Sequence, residues 1–167
     1  MSARLALIGA PGAGKSTVAA ALAARWGCQM VDTDAEFGTQ YGTSVAEAII
    51  DDEAAFRVAE EEVTVAALAT DGAVVAVGSG AVNAQSVQQV LRRIPTVWLR
   101  VGLVEAARRS GLTGARPVAL GNVRGQLHGM LEERAPLYES LAGLVVATDG
   151  RLADEVADEI ADWEERA

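Results

Sequence analysis

Gly9-Ala10-Pro11-Gly12-Ala13-Gly14-Lys15-Ser16 fits the phosphate-binding pattern G-x-x-x-x-G-K-[ST] at every fixed position. Such a pattern arises by chance in roughly 1% of chains of this length, so its flanks decide the matter. Arg4 to Ile8 is an apolar run of strand length, and Thr17 to Arg25 is rich in helix formers. The glycines therefore stand where a buried strand turns into a helix, the context the motif requires. Gly12 and Gly14 let the backbone curl until successive N–H groups face one hollow, and the following helix aims its positive end there. Lys15, the only lysine of the chain, has the reach for the β- and γ-phosphates, and the Ser16 hydroxyl suits Mg2+. A nucleotide site over Gly12, Ala13, Gly14, Lys15, Ser16 and Thr17 is expected.

Strand and helix patterns alternate outward from this loop, the mark of an α/β protein with a parallel sheet. Gly27 is a plausible stop for the first helix. Gln29 to Val31 predicts a second strand ending in Asp32-Thr33-Asp34, and a turn is expected around residues 41–44. Val45 to Ala69 reads as a long helix, broken near Asp51-Asp52, with Phe56, Ala59, Val63 and Ala67 as its apolar stripe. Ala73 to Val77 is a third strand ending in Gly78-Ser79-Gly80. Helices near 84–92 and 104–110 flank a fourth strand at Pro95 to Leu99. Residues 111–121 hold three glycines and a proline without clear period, which predicts a lid loop. A helix from about Val123 should end or bend at Pro136. Leu144 to Ala147 is the fifth strand, and Leu152, Val156, Ile160 and Trp163 stripe a last helix.

With 167 residues, 50% of them apolar, the chain suffices for one domain with a sizeable core. A net charge of −9 disfavours a general nucleic-acid or anionic-membrane binder. One cysteine, Cys28, excludes an intramolecular disulfide and a four-cysteine zinc site. No signal-peptide pattern or membrane-length apolar run is present, which predicts a cytoplasmic protein.

Ligands of open parallel sheets bind beyond the carboxyl ends of the strands. There the second strand offers Asp32, the best carboxylate for the Mg2+ side, and Asp34, which shares its face if the segment stays extended. Asp34 suits a residue that orients, or takes a proton from, an acceptor hydroxyl. The competing reading is an Asp-Thr-Asp turn that caps a helix. Gly78-Ser79-Gly80 presents backbone N–H groups or is a plain turn. Arg116 is placed to swing over a transferring phosphate, or is simply solvated. Arg134 continues the inward stripe of Val123, Leu127, Met130 and Leu131, where an arginine needs an anion. Arg57 has Glu53 and Glu61 four residues to either side and can pair with them on a solvated face. His128 reads as a surface residue.

Taken together, the phosphate loop, Asp32-Thr33-Asp34, Phe56-Arg57 with Glu60, the turn at 78–80, Arg116-Pro117 and Arg134-Ala135-Pro136-Leu137-Tyr138 resemble the shikimate kinase family over roughly residues 4 to 160. The resemblance implies a three-layer, five-stranded parallel sheet of the P-loop, nucleoside monophosphate kinase type. It forms a single kinase domain with a substrate-binding helical region about 33–62 and a lid about 111–122. It implies transfer of the γ-phosphoryl group of ATP to the 3-hydroxyl of shikimate by a monomer using Mg2+. It assigns catalysis to Lys15, Asp34 and Arg116, and the adenine side to Arg109. Shikimate would be held by Asp34, Arg57, Gly78, Ser79, Gly80 and Arg134, and the metal by Ser16 and Asp32. A same-fold kinase for another hydroxy acid such as gluconate, and a nucleotide-binding module without turnover, are the competing readings. The chain departs from the family pattern at two places. Serine stands at 79 where glycine is usual, costing about 1 kcal/mol or more if that position needs φ > 0. No proline occurs at 150–153, a difference that bears on the adenine contacts.

Overall fold

The computed structural model describes residues 1–109 and 117–167, with side chains outside 110–123. Five strands, β1 (Leu5–Ile8), β2 (Met30–Asp32), β3 (Val74–Ala76), β4 (Thr96–Arg100) and β5 (Leu144–Ala147), form one sheet in the order β2-β3-β1-β4-β5. Every pairing is parallel; β1 sits at the centre with Leu5 opposite Val74 and Ala6 opposite Thr96. Parallel strands require covered faces, and β1 shows why this sequence supplies them. Leu5 and Leu7 enter one core with Val18 and Leu22 of α1 (Lys15–Trp26) and Val156 and Ile160 of α7 (Ala153–Arg166). Ala6 and Ile8 enter the other, with Leu68 of α3 (Val45–Leu68), Val87 of α4 (Gln85–Leu91) and Tyr138 of α6 (Pro117–Leu141). Leu5, Leu7 and Ile8 are fully buried, each burial favouring the fold by about 1.5–3 kcal/mol. The expected three-layer α/β architecture with five parallel strands is the one observed.

A helix that no apolar period marks, α2 (Thr33–Tyr41), begins directly after β2, within the stretch of about 33–62 where the resemblance implies helix. Its only buried residues are Thr33 and Phe37, too few to mark a period. Between α2 and the first part of α3 lies a small separate core of Phe37, Phe56 and Val63. α3 starts with a reciprocal cap between Ser44 and Glu47 and breaks at Asp52, as expected. Asp52 is extended (φ −153°, ψ 95°), and its Oδ1 accepts from Ala55 N at 3.0 Å, so it caps the second half of the helix.

Other boundaries differ from expectation. α6 begins at Pro117 rather than about Val123; proline suits a first helical position, where its missing N–H is no loss. Residues 110–116 lie outside the description, so only 117–121 of the expected lid are seen, and these are helical. The helix also passes Pro136 and ends at Leu141, because Tyr138 and Leu141 beyond the proline are buried in the sheet's core. α5 (Leu103–Arg109) agrees with its prediction. Leu152 is 72% exposed and precedes α7 instead of heading its stripe. Among the described residues no helix is long and apolar enough to cross a membrane.

The Asp52 cap fixes where α3 restarts and hence where Phe56 and Arg57 stand. Asp52→Ala should lower unfolding free energy by about 1 kcal/mol, with Asp52→Asn close to wild type. Urea melts of the three chains check this.

Candidate active site

The carboxyl ends of β1, β2 and β3 open onto a cleft of about 460 Å³ lined by Gly12, Gly14, Lys15, Ser16, Asp32 and Asp34 among others. Gly12 (φ 77°) and Gly14 (φ 88°) take the left-handed backbone that the loop requires. Gly14 caps α1 with no side-chain acceptor, so the first N–H groups of α1 face the cleft without a protein partner from a capping side chain. The Lys15 ammonium folds back on the loop, donating to Gly9 O at 2.8 Å and Ala10 O at 2.9 Å. Burial lowers its pKa to about 8, against the opposing pull of Asp34 and Asp32.

Asp32 does two jobs. Its Oδ1 caps α2, accepting from Asp34 N at 2.9 Å and Ala35 N at 3.2 Å. Its Oδ2 accepts from the Ser16 hydroxyl. The capping and cleft readings of this carboxylate therefore hold together, one on each oxygen. The segment does not stay extended past Asp32, contrary to the spacing argument, because the helix begins at Thr33. Asp34 nevertheless lines the same cleft. Its pKa is raised, first by burial and then by Asp32, while Lys15 acts in the opposite sense.

The turn at 78–80 closes the far side. A Cβ on Gly78 would lie 2.7 Å from Asp34 Oδ1, and one on Gly80 2.3 Å from an Arg57 Nη1. A side chain at either end would push the Asp34 carboxylate or the Arg57 guanidinium from its observed place, and neither glycine has a positive φ. Ser79 has no positive φ, as no described non-glycine residue does, so the anticipated backbone strain is absent. Gly78 N donates to Thr33 Oγ1 at 2.8 Å.

Arg57 pairs with Glu60 at 2.8 Å and Glu53 at 3.6 Å. The expected partner Glu61 instead accepts from the Ser86 hydroxyl. Glu60 is 7% exposed, and burial raises its pKa while Arg57 holds it down. A buried carboxylate three residues from an arginine was the one available sequence signal for it. Arg134 is half-buried, its charge felt by Lys15, Glu60 and Tyr138. Among the described residues its Nη1 is buried without a hydrogen-bond partner, the arrangement an inward arginine awaiting an anion would show.

Arg109 stands in the wall between this cleft and a second of about 280 Å³ that also reaches Thr148, Arg151 and Leu152. Its guanidinium donates to Thr148 O at 2.9 Å and Thr148 Oγ1 at 3.2 Å and pairs with Glu105 at 3.4 Å. In the 150–153 segment, Arg151 pairs with Glu159 at 2.7 Å. Ala13 and Thr17 border the second cleft. Arg116 lies outside the described residues. His128 is exposed and faces Glu132 at 3.2 Å. Thr33, Glu60 and Tyr138 belong to the motifs that carry the resemblance but have no role assigned there, and Thr148 is not among them, since each acts through burial or through a contact that spacing does not reveal.

A family model described as shikimate kinase matches residues 11–164. A shikimate kinase of Thermobifida fusca is 46% identical over 156 residues, covering 93% of this chain and 91% of the relative. One of Streptomyces coelicolor is 42% identical over 153 residues, covering 91% and 90%. Among solved structures, a shikimate kinase from Acinetobacter baumannii in complex with shikimate aligns with a TM-score of 0.86 at 26% identity, over 99% of this chain and 94% of that one. A gluconokinase from Sinorhizobium meliloti, with a TM-score of 0.59 at 22% identity over 99% and 93% of the chains, shares the fold alone. A matching family model over most of the chain, and relatives this similar over nearly their whole length, agree with the phosphate loop and the five-stranded parallel sheet: the chain belongs to the shikimate kinase family.

Proposed function

We propose that this chain transfers the γ-phosphoryl group of ATP to the 3-hydroxyl of shikimate, giving shikimate 3-phosphate and ADP. The observation that carries the reading is the position of Asp34. It lines the phosphate cleft with its carboxylate beside Gly78, and Arg57, Glu60 and Arg134 are clustered beyond it. A carboxylate of raised pKa thus stands between a triphosphate site and a pair of arginines suited to a planar carboxylate.

In this reading the phosphates of ATP bind the N–H groups of the loop and of α1, and draw Lys15 away from the Gly9 and Ala10 carbonyls. Arg57 and Arg134 take the shikimate carboxylate, the latter through its unpartnered Nη1. The backbone at Gly78, Ser79 and Gly80 borders the sugar-like ring. Asp34 orients the 3-hydroxyl and accepts its proton as the oxygen attacks the γ-phosphorus in line. The bond from that phosphorus to the β–γ bridging oxygen breaks and ADP leaves with the electron pair. Lys15 and Arg116 offset the charge on the transferring group. Arg109 with Thr17 would border the adenosine side.

The donor set at Ser16 and Asp32 fits Mg2+: two hard oxygens in contact at the wall of the phosphate cleft, the kind of ligand that ion takes, and these two side chains would hold it. When bound, that ion would neutralise phosphate charge. A monomer in the cytoplasm, without nucleic-acid or membrane partner, is part of the same proposal.

ADP release should depend on shikimate and be absent with gluconate or no acceptor. Asp34→Asn should lower kcat by about 10² or more, the usual scale for losing a positioned base, while ADP still binds. Nucleotide binding without shikimate-dependent turnover in the wild type would overturn the assignment.

Lys15 sets a second expectation. Its free pKa is about 8, and bound phosphate favours the ammonium and raises it. Binding therefore takes up a proton above that pH. ADP affinity should be level at lower pH and fall by up to about tenfold per pH unit above pH 8, a trend that calorimetric titrations from pH 7 to 10 would measure and Lys15→Met should abolish.

A further inference from the structure

The acceptor turn is anchored from three directions. Thr33 of α2 holds its first residue through Gly78 N, at 2.8 Å. Asn83, just downstream, holds its last through Gly80 O, with both its backbone N and its Nδ2 at 3.1 Å. The middle is held from far away in sequence: the Tyr138 hydroxyl of α6 donates to Ser79 O at 2.9 Å. Tyr138 is 1% exposed, and its ring lies 5.7 Å from that of Trp98. It follows Arg134 by four residues, on the same face of α6.

We propose that Tyr138 is a positioning residue for the acceptor side, fixing the turn at Ser79 relative to Arg134. The consequences run through contacts already described. The Asp34 carboxylate and the Arg57 guanidinium lie directly over Gly78 and Gly80, so a displaced turn changes the space both side chains occupy. The phenol is the one anchor of the turn that comes from the helix bearing Arg134. It therefore ties Ser79 to the helix that carries Arg134, whose Nη1 is buried without a hydrogen-bond partner among the described residues. Burial raises the phenol pKa, while the charge of Arg134 and a side-chain hydrogen bond with it act in the opposite sense, so the hydroxyl remains a donor at neutral pH. The donor also explains how serine is accommodated at 79: the anchor is on its backbone carbonyl, which any residue supplies. Tyr138 touches neither the phosphate cleft nor the reacting atoms.

This inference rests on shikimate being the acceptor, and the experiment separates the two. Tyr138→Phe keeps the ring against Trp98 and removes only the hydroxyl. Wild-type and Phe chains would be compared for KM of shikimate, KM of ATP, and thermal midpoint without ligands. The expected result is a shikimate KM raised about five- to tenfold, the scale of one buried hydrogen bond, with the ATP KM within twofold and the midpoint within a few degrees. An unchanged shikimate KM in the Phe chain overturns the proposal. So does a rise in both KM values together with a lowered midpoint, which would assign Tyr138 to the fold alone. Absence of shikimate-dependent turnover in the wild type would instead overturn the acceptor assignment itself.

Discussion

Lys15 holds a part-buried ammonium at the wall of the phosphate cleft, with two backbone carbonyls as its hydrogen-bond partners, and much of the site can be understood from that placement. A buried cation is costly unless paired. Here the compensation is partial: Asp32 and Asp34 attract the charge from nearby, yet burial still wins and the pKa falls to about 8. The same geometry depends on β1, whose residues are buried on both faces, and on left-handed Gly12 and Gly14, which turn the chain sharply enough to place Gly9 and Ala10 carbonyls around their own lysine.

Around the turn at 78–80 the side chains are closely packed. The Asp34 carboxylate and the Arg57 guanidinium occupy the space that side chains at Gly78 and Gly80 would enter. This packing brings β3, α2 and α3 into one wall. Charges follow the same economy of space: Glu60 neutralises Arg57 in the interior, whereas Arg134 retains a buried donor without a partner among the described residues. Pairing one of the two arginines lowers the cost of holding two bare cations close together in a part-buried place.

The helical region around α2 and the start of α3 has its own small core of Phe37, Phe56 and Val63, distinct from the two cores that cover the sheet. Asp32 ties this region to the phosphate loop, since one carboxylate both caps α2 and bonds Ser16. The nucleotide and acceptor halves are thus mechanically joined at the residue that the proposed function places on the metal side.

The sequence by itself determined the sheet, the phosphate loop and most helices. Those features are encoded locally: continuous apolar runs for strands buried on both faces, a 3.6-residue stripe for α3, glycines where the backbone must be left-handed. It also made Asp32, Asp34 and Arg134 visible, because strand ends and inward stripes are properties of spacing. Short or masked periods escaped it. α2 buries only Thr33 and Phe37 and so had no stripe to read, and α6 continues past Pro136 because Tyr138 and Leu141 gain burial that outweighs the local penalty. Only the tertiary structure decided that Arg57 turns to Glu60 rather than Glu61, that Ser79 is unstrained, and that Tyr138 reaches across to its carbonyl. Each of these is a choice among partners equally near in sequence, or a contact between segments far apart in it, and what selects between them is which groups the packing leaves buried together.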